Sequence, residues 1–154
     1  MSSATNKAIV RRFIAQVLNR KQQGLFDEFL LDDARVHLPG LAPGQGSARR
    51  WASEYADAFP DGQHVIEDCF AEADRVVART RFIGTYRAGL PGMPGAGRRV
   101  SLPGIAIFRL ENARIVEAWL MNDDLGMLRQ LGIISNPLEE TFRHIFQPEK
   151  GAGE

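Results

Sequence analysis

Cysteine is almost missing from this 154-residue chain, where Cys69 stands alone. A single cysteine excludes an intrachain disulfide and a zinc site built from several thiolates. An excess of either charge is missing too, since 19 Lys+Arg balance 19 Asp+Glu. That balance removes the electrostatic reason to expect a nucleic acid or an anionic membrane as partner. The pairs Arg11-Arg12, Arg49-Arg50 and Arg98-Arg99 are scattered, with no stacking aromatics between them, and read as solvated faces. No apolar run approaches the ~20 residues of a membrane span, and MSSATNKAIVRRF holds no apolar export signal. A cytoplasmic protein is the expectation. Repeats and low-complexity stretches are also lacking. The run GLPGMPGAG lacks the Lys-Ser/Thr end of a phosphate loop and reads as a hairpin loop.

What is present is an ordinary hydrophobic share of 44%, enough for one domain with its own core. Ile9, Phe13 and Val17, with Val10, Ile14 and Leu18 beside them, make a broad helical stripe. LFDEFLL predicts a short second helix, and ARVHLPG a short strand stopped by Pro39 and Gly40. GSARRWASEYADAFPDG predicts a third helix, with Ser47 as N-cap and Pro60 and Gly62 as its end. After Gly62 the hydrophobic period changes to two. HVIEDCFAEA, DRVVARTRFIGTY, VSLPGIAIFRL and RIVEAWLMN predict four strands, with a tight turn at ENA, and LGMLRQLG a last helix. Residues 1–135 form the expected domain. Residues 136–154 form a tail with a short helix over Leu138 to Phe146. Helices first and strands later is an α+β pattern: a curved, mostly antiparallel sheet wrapped around N-terminal helices. Such a cone encloses an apolar hollow, a common ligand site.

Alternation along the last strand puts Ile115, Glu117, Trp119, Met121 and Asp123 on one face, and Val116, Ala118, Leu120 and Asn122 on the other. If the first face lines the hollow, Asp123 ends it. A carboxyl group in an apolar pocket loses hydration and holds its proton more tightly, which suits acid–base chemistry. A helix also starts here, and Asp is a favoured N-cap, which stabilises the charged form instead. Both readings stand for Asp123 and Asp124.

The segments NKAIVRRFIAQVLN, VHLPG, AFPDGQHVIEDCFAEADRVVARTRFIGTY, GMPGAGRRV, GIAIFRLENARIVEAW and DDLGMLRQLG, in this order, resemble the SnoaL-like polyketide cyclase (ester cyclase) family of the NTF2-like fold. In that family a Trp near the end of the last strand is followed four residues on by Asp, then Leu-Gly and Gln-Leu-Gly. Those positions here are Trp119, Asp123, Leu125-Gly126 and Gln130-Leu131-Gly132. The resemblance implies that Asp123 is the general acid/base of an intramolecular aldol condensation on an apolar carbonyl compound, with no cofactor and no metal. It also implies a homodimer through the outer sheet face. Tyr86 stands where the family often has His.

Other residues carry weaker signals. The resemblance places His37 near the pocket mouth, as a second catalytic candidate beside Asp123. Trp51, Tyr55 and Phe59 recur every four residues, as a core stripe or a pocket wall. Met93 sits in the glycine-rich loop and would cover a ligand, and Trp119 would line the hollow. Arg79 would pair across a dimer or fork onto a substrate carbonyl or carboxylate. His64, at the start of a strand, reads as solvated. A non-catalytic binder of an apolar small molecule is the alternative. Another is an isomerase, dehydratase or epoxide hydrolase, the last needing Arg79 and a second acid such as Asp68.

Overall fold

A computed structural model describes residues 2–90, 92–93 and 97–134. The tail and its expected helix lie outside the described residues. Helix α1 (Ser3–Phe13) opens with Ser2, whose hydroxyl accepts the Thr5 N–H at 3.2 Å. It runs on through a wider turn over Ile14–Asn19, where the Arg20 N–H reaches the Ala15 carbonyl. The apolar stripe is realised: Ile9, Val10, Phe13, Ile14 and Val17 are all buried. Asn6, buried on the same face, donates to the Ala73 carbonyl and ties the helix to a strand turn.

The second helix is shorter than LFDEFLL predicts. A 3-10 turn over Gln23–Leu25 leads into it, only Phe26–Phe29 (α2) is α-helical, and Leu30 already begins strand β1 (Leu30–His37). Helix α3 (Gln45–Ala58) starts before Ser47, with Gly44 as its cap and no side-chain capping bond, so Ser47 is not the N-cap. Strands β2 (Gln63–Glu72), β3 (Arg75–Thr85), β4 (Arg99–Glu111) and β5 (Arg114–Asn122) follow, then helix α4 (Asp124–Gln130). Asn112 and Ala113 both take positive φ, at 47° and 67°, in the predicted tight turn between β4 and β5.

The sheet order is β1-β5-β4-β3-β2. β2 to β5 form an antiparallel meander, and β1 joins β5 in parallel. Val76, Ala78, Thr80 and Phe82 of β3 pair with Phe108, Ala106, Gly104 and Leu102 of β4, and all are buried on the helix side. Two apolar clusters fill the interior. One joins α1, α2 and β1 to the sheet; the other gathers Phe59, Phe82, Tyr86, Leu102 and Met127. At the α3–β2 corner the chain passes so close to Phe82 that a Cβ on Gly62 would meet its ring at 2.9 Å.

One irregularity decides what faces the interior. Arg109 pairs with Glu117 and Leu110 with Ile115, so Val116 is an extra residue, a β-bulge. Ile115 and Ala118 therefore both face the helices, at 0% and 2% exposure. Glu117, Trp119 and Met121 turn to the outer face, opposite Arg109, Ile107 and Ile105. The expected single face from Ile115 to Asp123 is thus corrected. An inserted residue reverses the alternation, and Ala118 and Leu120 line the hollow instead.

Candidate functional site

Two small hollows lie between the helices and the sheet. One, about 30 Å³, is walled by apolar side chains including Phe13, Phe26, Phe108 and Ala118. The other, about 20 Å³, is lined by Tyr55, Phe59, His64 and Phe82 among others. Each has room for about one water molecule. Leu18, Trp51 and Ala52 belong to both walls, so they form the partition between them. The expected pocket contact of Trp51, Tyr55 and Phe59 is where α3 places them, on the side facing β2 and β3. Their rings run in series, 4.8 Å from Trp51 to Tyr55 and 5.4 Å from Tyr55 to Phe59.

His64 lies in this aromatic wall rather than in solvent. It pairs with inward-facing Phe82 in the sheet, and their ring centroids are 4.9 Å apart. Its Nδ1 is sealed from solvent and has no hydrogen-bond partner among the described residues. Loss of hydration pushes its pKa down to about 4, so the imidazole is neutral at pH 7. Asn19 holds its backbone at both ends: the Asn19 Oδ1 accepts the His64 N–H at 2.7 Å, and the Asn19 amide donates to the His64 carbonyl at 3.1 Å. The Lys21 ammonium, on the same wall, donates to the Pro60 carbonyl. Tyr55 points its hydroxyl at the Met127 sulfur, 3.4 Å away and a weak acceptor. Burial first, and then the charge of Asp124, raise the Tyr55 pKa, so its proton stays on.

The two aspartates at the β5–α4 junction do different things. Asp123 is exposed, and its Oδ1 accepts the Gly126 N–H at 2.8 Å as the N-cap of α4. Its side chain reaches the outer groove beside Met121 and Pro103 rather than the helix-side hollows. A Cβ on residue 126 would lie 2.0 Å from the Asp123 carboxylate, which would have to shift to keep this bond. Asp124 opens the helix. Desolvation and the neighbouring Asp123 charge both raise its pKa, and its own charge is felt at Tyr55.

His37 and Trp119 are not at the hollow. They stack face to face on the outer side, 5.4 Å apart and 7° from parallel. His37 Nε2 lies 3.0 Å from the Glu117 carboxylate, which also takes the Arg109 guanidinium at 3.4 Å. The His37 hydrogen bond is the main reason that Glu117 holds its proton less tightly than usual. His37 pairs with Trp119, four residues from Asp123, so the expected catalytic pair sits ~13 Å apart along the strand. Arg79 is also on the outer face, paired with Asp68 at 3.0 Å and with Glu67. An arginine and two acids do converge, but on exposed sheet, not in the cone. Met93 packs against the second cluster, and its carbonyl accepts the Tyr86 hydroxyl at 2.9 Å. Tyr86 is fully buried, and its hydroxyl also accepts the Leu90 N–H at 3.4 Å.

A family model for SnoaL-like polyketide cyclases matches residues 8–131. TsrD from Streptomyces laurentii shares 28% identity at a TM-score of 0.78, over 87% of this chain and 99% of that one. IdmH from Streptomyces antibioticus, provisionally called a polyketide cyclase, shares 26% identity at a TM-score of 0.74, over 82% of this chain and 98% of its own. AclR from Streptomyces galilaeus, provisionally called a hydroxylase, has the same fold at 24% identity and a TM-score of 0.78, over 87% of this chain and 100% of its own. No protein of curated function matches the sequence. No described helix is long and apolar enough to cross a membrane. With four-fifths of its length matched by one family model, and its α+β cone shared with that family's solved structures, the chain belongs to the SnoaL-like polyketide cyclases.

Proposed function

We propose that this protein is a cofactor-independent, cytoplasmic acid–base enzyme. It acts on an apolar carbonyl compound in the cone, closing a ring by intramolecular aldol condensation. A carboxylate removes a proton from a carbon flanked by two carbonyls. The enolate carbon then bonds to a second carbonyl carbon of the same molecule, and the resulting alkoxide takes a proton back. Atoms and charge balance within the substrate, so the protein supplies position, a proton relay and charge stabilisation.

This reading is supported by the position of Asp124, an exposed residue in the first turn of α4, within electrostatic reach of the Tyr55 hydroxyl in the wall of the cone, with its proton affinity raised by desolvation and the Asp123 charge. The resemblance assigns the acid/base to Asp123. Its engagement with the Gly126 N–H leads us to divide the role: Asp123 caps α4, and Asp124, beside it, carries the proton. Tyr55, protonated at neutral pH, is the donor for developing oxyanion charge. The hollows are small, so a substrate must displace the Trp51 partition on entry.

The test is hydrogen–deuterium exchange at C2 of methyl 3-(2-naphthyl)-3-oxopropanoate, followed by NMR in D2O. The chain should speed exchange above buffer. Asp124→Asn should abolish the acceleration, and Asp123→Asn should reduce it. Acceleration that survives Asp124→Asn would contradict the assignment. The same cap also favours a second reading, a non-catalytic binder: it would hold the ester in the cone without accelerating exchange.

The outer sheet face is the proposed homodimer surface. Ile105, Met121, Phe70 and Val65 all lie on it and are 52%, 66%, 61% and 47% exposed. A face this apolar is rarely left open in a monomer.

A further inference from the structure

We infer that His64 is the polar anchor for the ligand, its Nδ1–H donating to a carbonyl oxygen at the aromatic end of the cone. This rests on the reading of the cone as the ligand site, and goes beyond it by naming a residue and a ligand shape.

Three observations meet at His64. Its Nδ1 is closed off from solvent without a partner among the described residues, which in a folded protein is costly and calls for an explanation. Its ring borders a hollow lined also by Trp51, Tyr55, Phe59 and Phe82, with the Trp51 and Phe82 rings 6.4 and 4.9 Å from its own. Its backbone is held at both N–H and C=O by Asn19, which fixes the point from which the ring leaves the strand. The facing groups are the Tyr55 hydroxyl from α3 and the Lys21 ammonium, the latter already bonded to Pro60. A neutral ring at working pH follows from its surroundings, and neutral imidazole carries one N–H donor.

The partition gives the ligand its shape. With Trp51 displaced, the His64 hollow joins the apolar one bounded by Phe13, Phe26 and Phe108. The merged space has one hydrogen-bonding end and one purely apolar end. It fits a flat hydrocarbon body with a carbonyl at its tip. Asn19 is then a positioning residue for His64.

Two probes of nearly one shape test this: 2-acetylnaphthalene, which carries the carbonyl, and 2-ethylnaphthalene, which does not. Binding is read from fluorescence quenching in a Trp119→Phe background, where Trp51 is the one remaining tryptophan. The acetyl probe should bind about five- to tenfold tighter, the effect of one net hydrogen bond in a dry site. His64→Phe should erase that preference and leave the ethyl probe's affinity within about twofold. Equal binding of the two probes, or a preference that survives His64→Phe, would overturn the anchor and leave the cone reading intact. Failure of both probes to bind would overturn both. Should His64→Phe not fold, the ¹⁵N shift of His64 Nδ1 in the unaltered chain decides. It should move with the acetyl probe and not with the ethyl probe; no movement overturns the inference.

Discussion

Asp123 accepts the Gly126 N–H at 2.8 Å, and the missing side chain of Gly126 is what lets the carboxylate sit there. Asp123→Ala should lose this bond, at about 1 kcal/mol, the usual worth of an N-cap. In a chain of this size that is a fall of about 3 °C in melting temperature. Gly126→Ala should change stability by less, because the higher helix propensity of alanine offsets a displaced carboxylate, and in that background Asp123→Ala should cost little. Additive losses would mean that the two residues do not share one interaction.

Stability should fall on mild acidification, and His64 sets the sign. Its pKa is about 4 folded and 6.5 in the open chain, so the unfolded state binds the extra proton first. The contribution is fully present above pH 6.5 and is lost as pH falls toward 4. Between pH 7 and 5 the loss should be at most ~2 kcal/mol. Urea unfolding across that range should show the slope, and His64→Phe should flatten it. An unchanged slope in the variant would place the titration elsewhere.

Trp51→Ala should merge the two hollows. Removing a large, partly buried side chain should cost about 2–3 kcal/mol. The variant should also bind 2-ethylnaphthalene tighter than the parent, because the space no longer has to be opened. Calorimetry measures both. Lost stability without gained affinity would make Trp51 ordinary core.

Ile105→Glu should separate the proposed dimer. Ile105 is 52% exposed, so the folded chain should tolerate the charge within about 0.5 kcal/mol. Sedimentation should give a dimer for the parent and a monomer for the variant. A parent monomer, or a variant dimer, would remove the outer face from consideration.

Much of the fold is written in local periodicity. The α1 stripe, the switch to period two after Gly62 and the glycine and proline stops give the helices, the meander and the cone. Three features are not local. The parallel pairing of β1 with β5 joins residues some eighty positions apart and leaves no mark on either segment. The bulge at Val116 inserts one residue into an unbroken apolar–polar pattern and turns Glu117, Trp119 and Met121 outward. Both sheet faces are apolar enough that alternation alone could not choose between them. His64 was misplaced for the same reason: its inward aim is set by pairing with Phe82, not by its neighbours in sequence. Within the aspartate pair, a cap on one residue and a raised pKa on the next were both legible as possibilities. Their allocation depends on the space at Gly126.

The most direct measurement is the carboxyl titration of Asp124 by ¹³C NMR, alone and with Asp123→Asn. The midpoint should lie above the ordinary value of 3.8, since desolvation and the Asp123 charge both act on it, and should drop when that charge is removed. A midpoint at or below 3.8, indifferent to Asp123, would contradict Asp124 as the proton carrier of this cone.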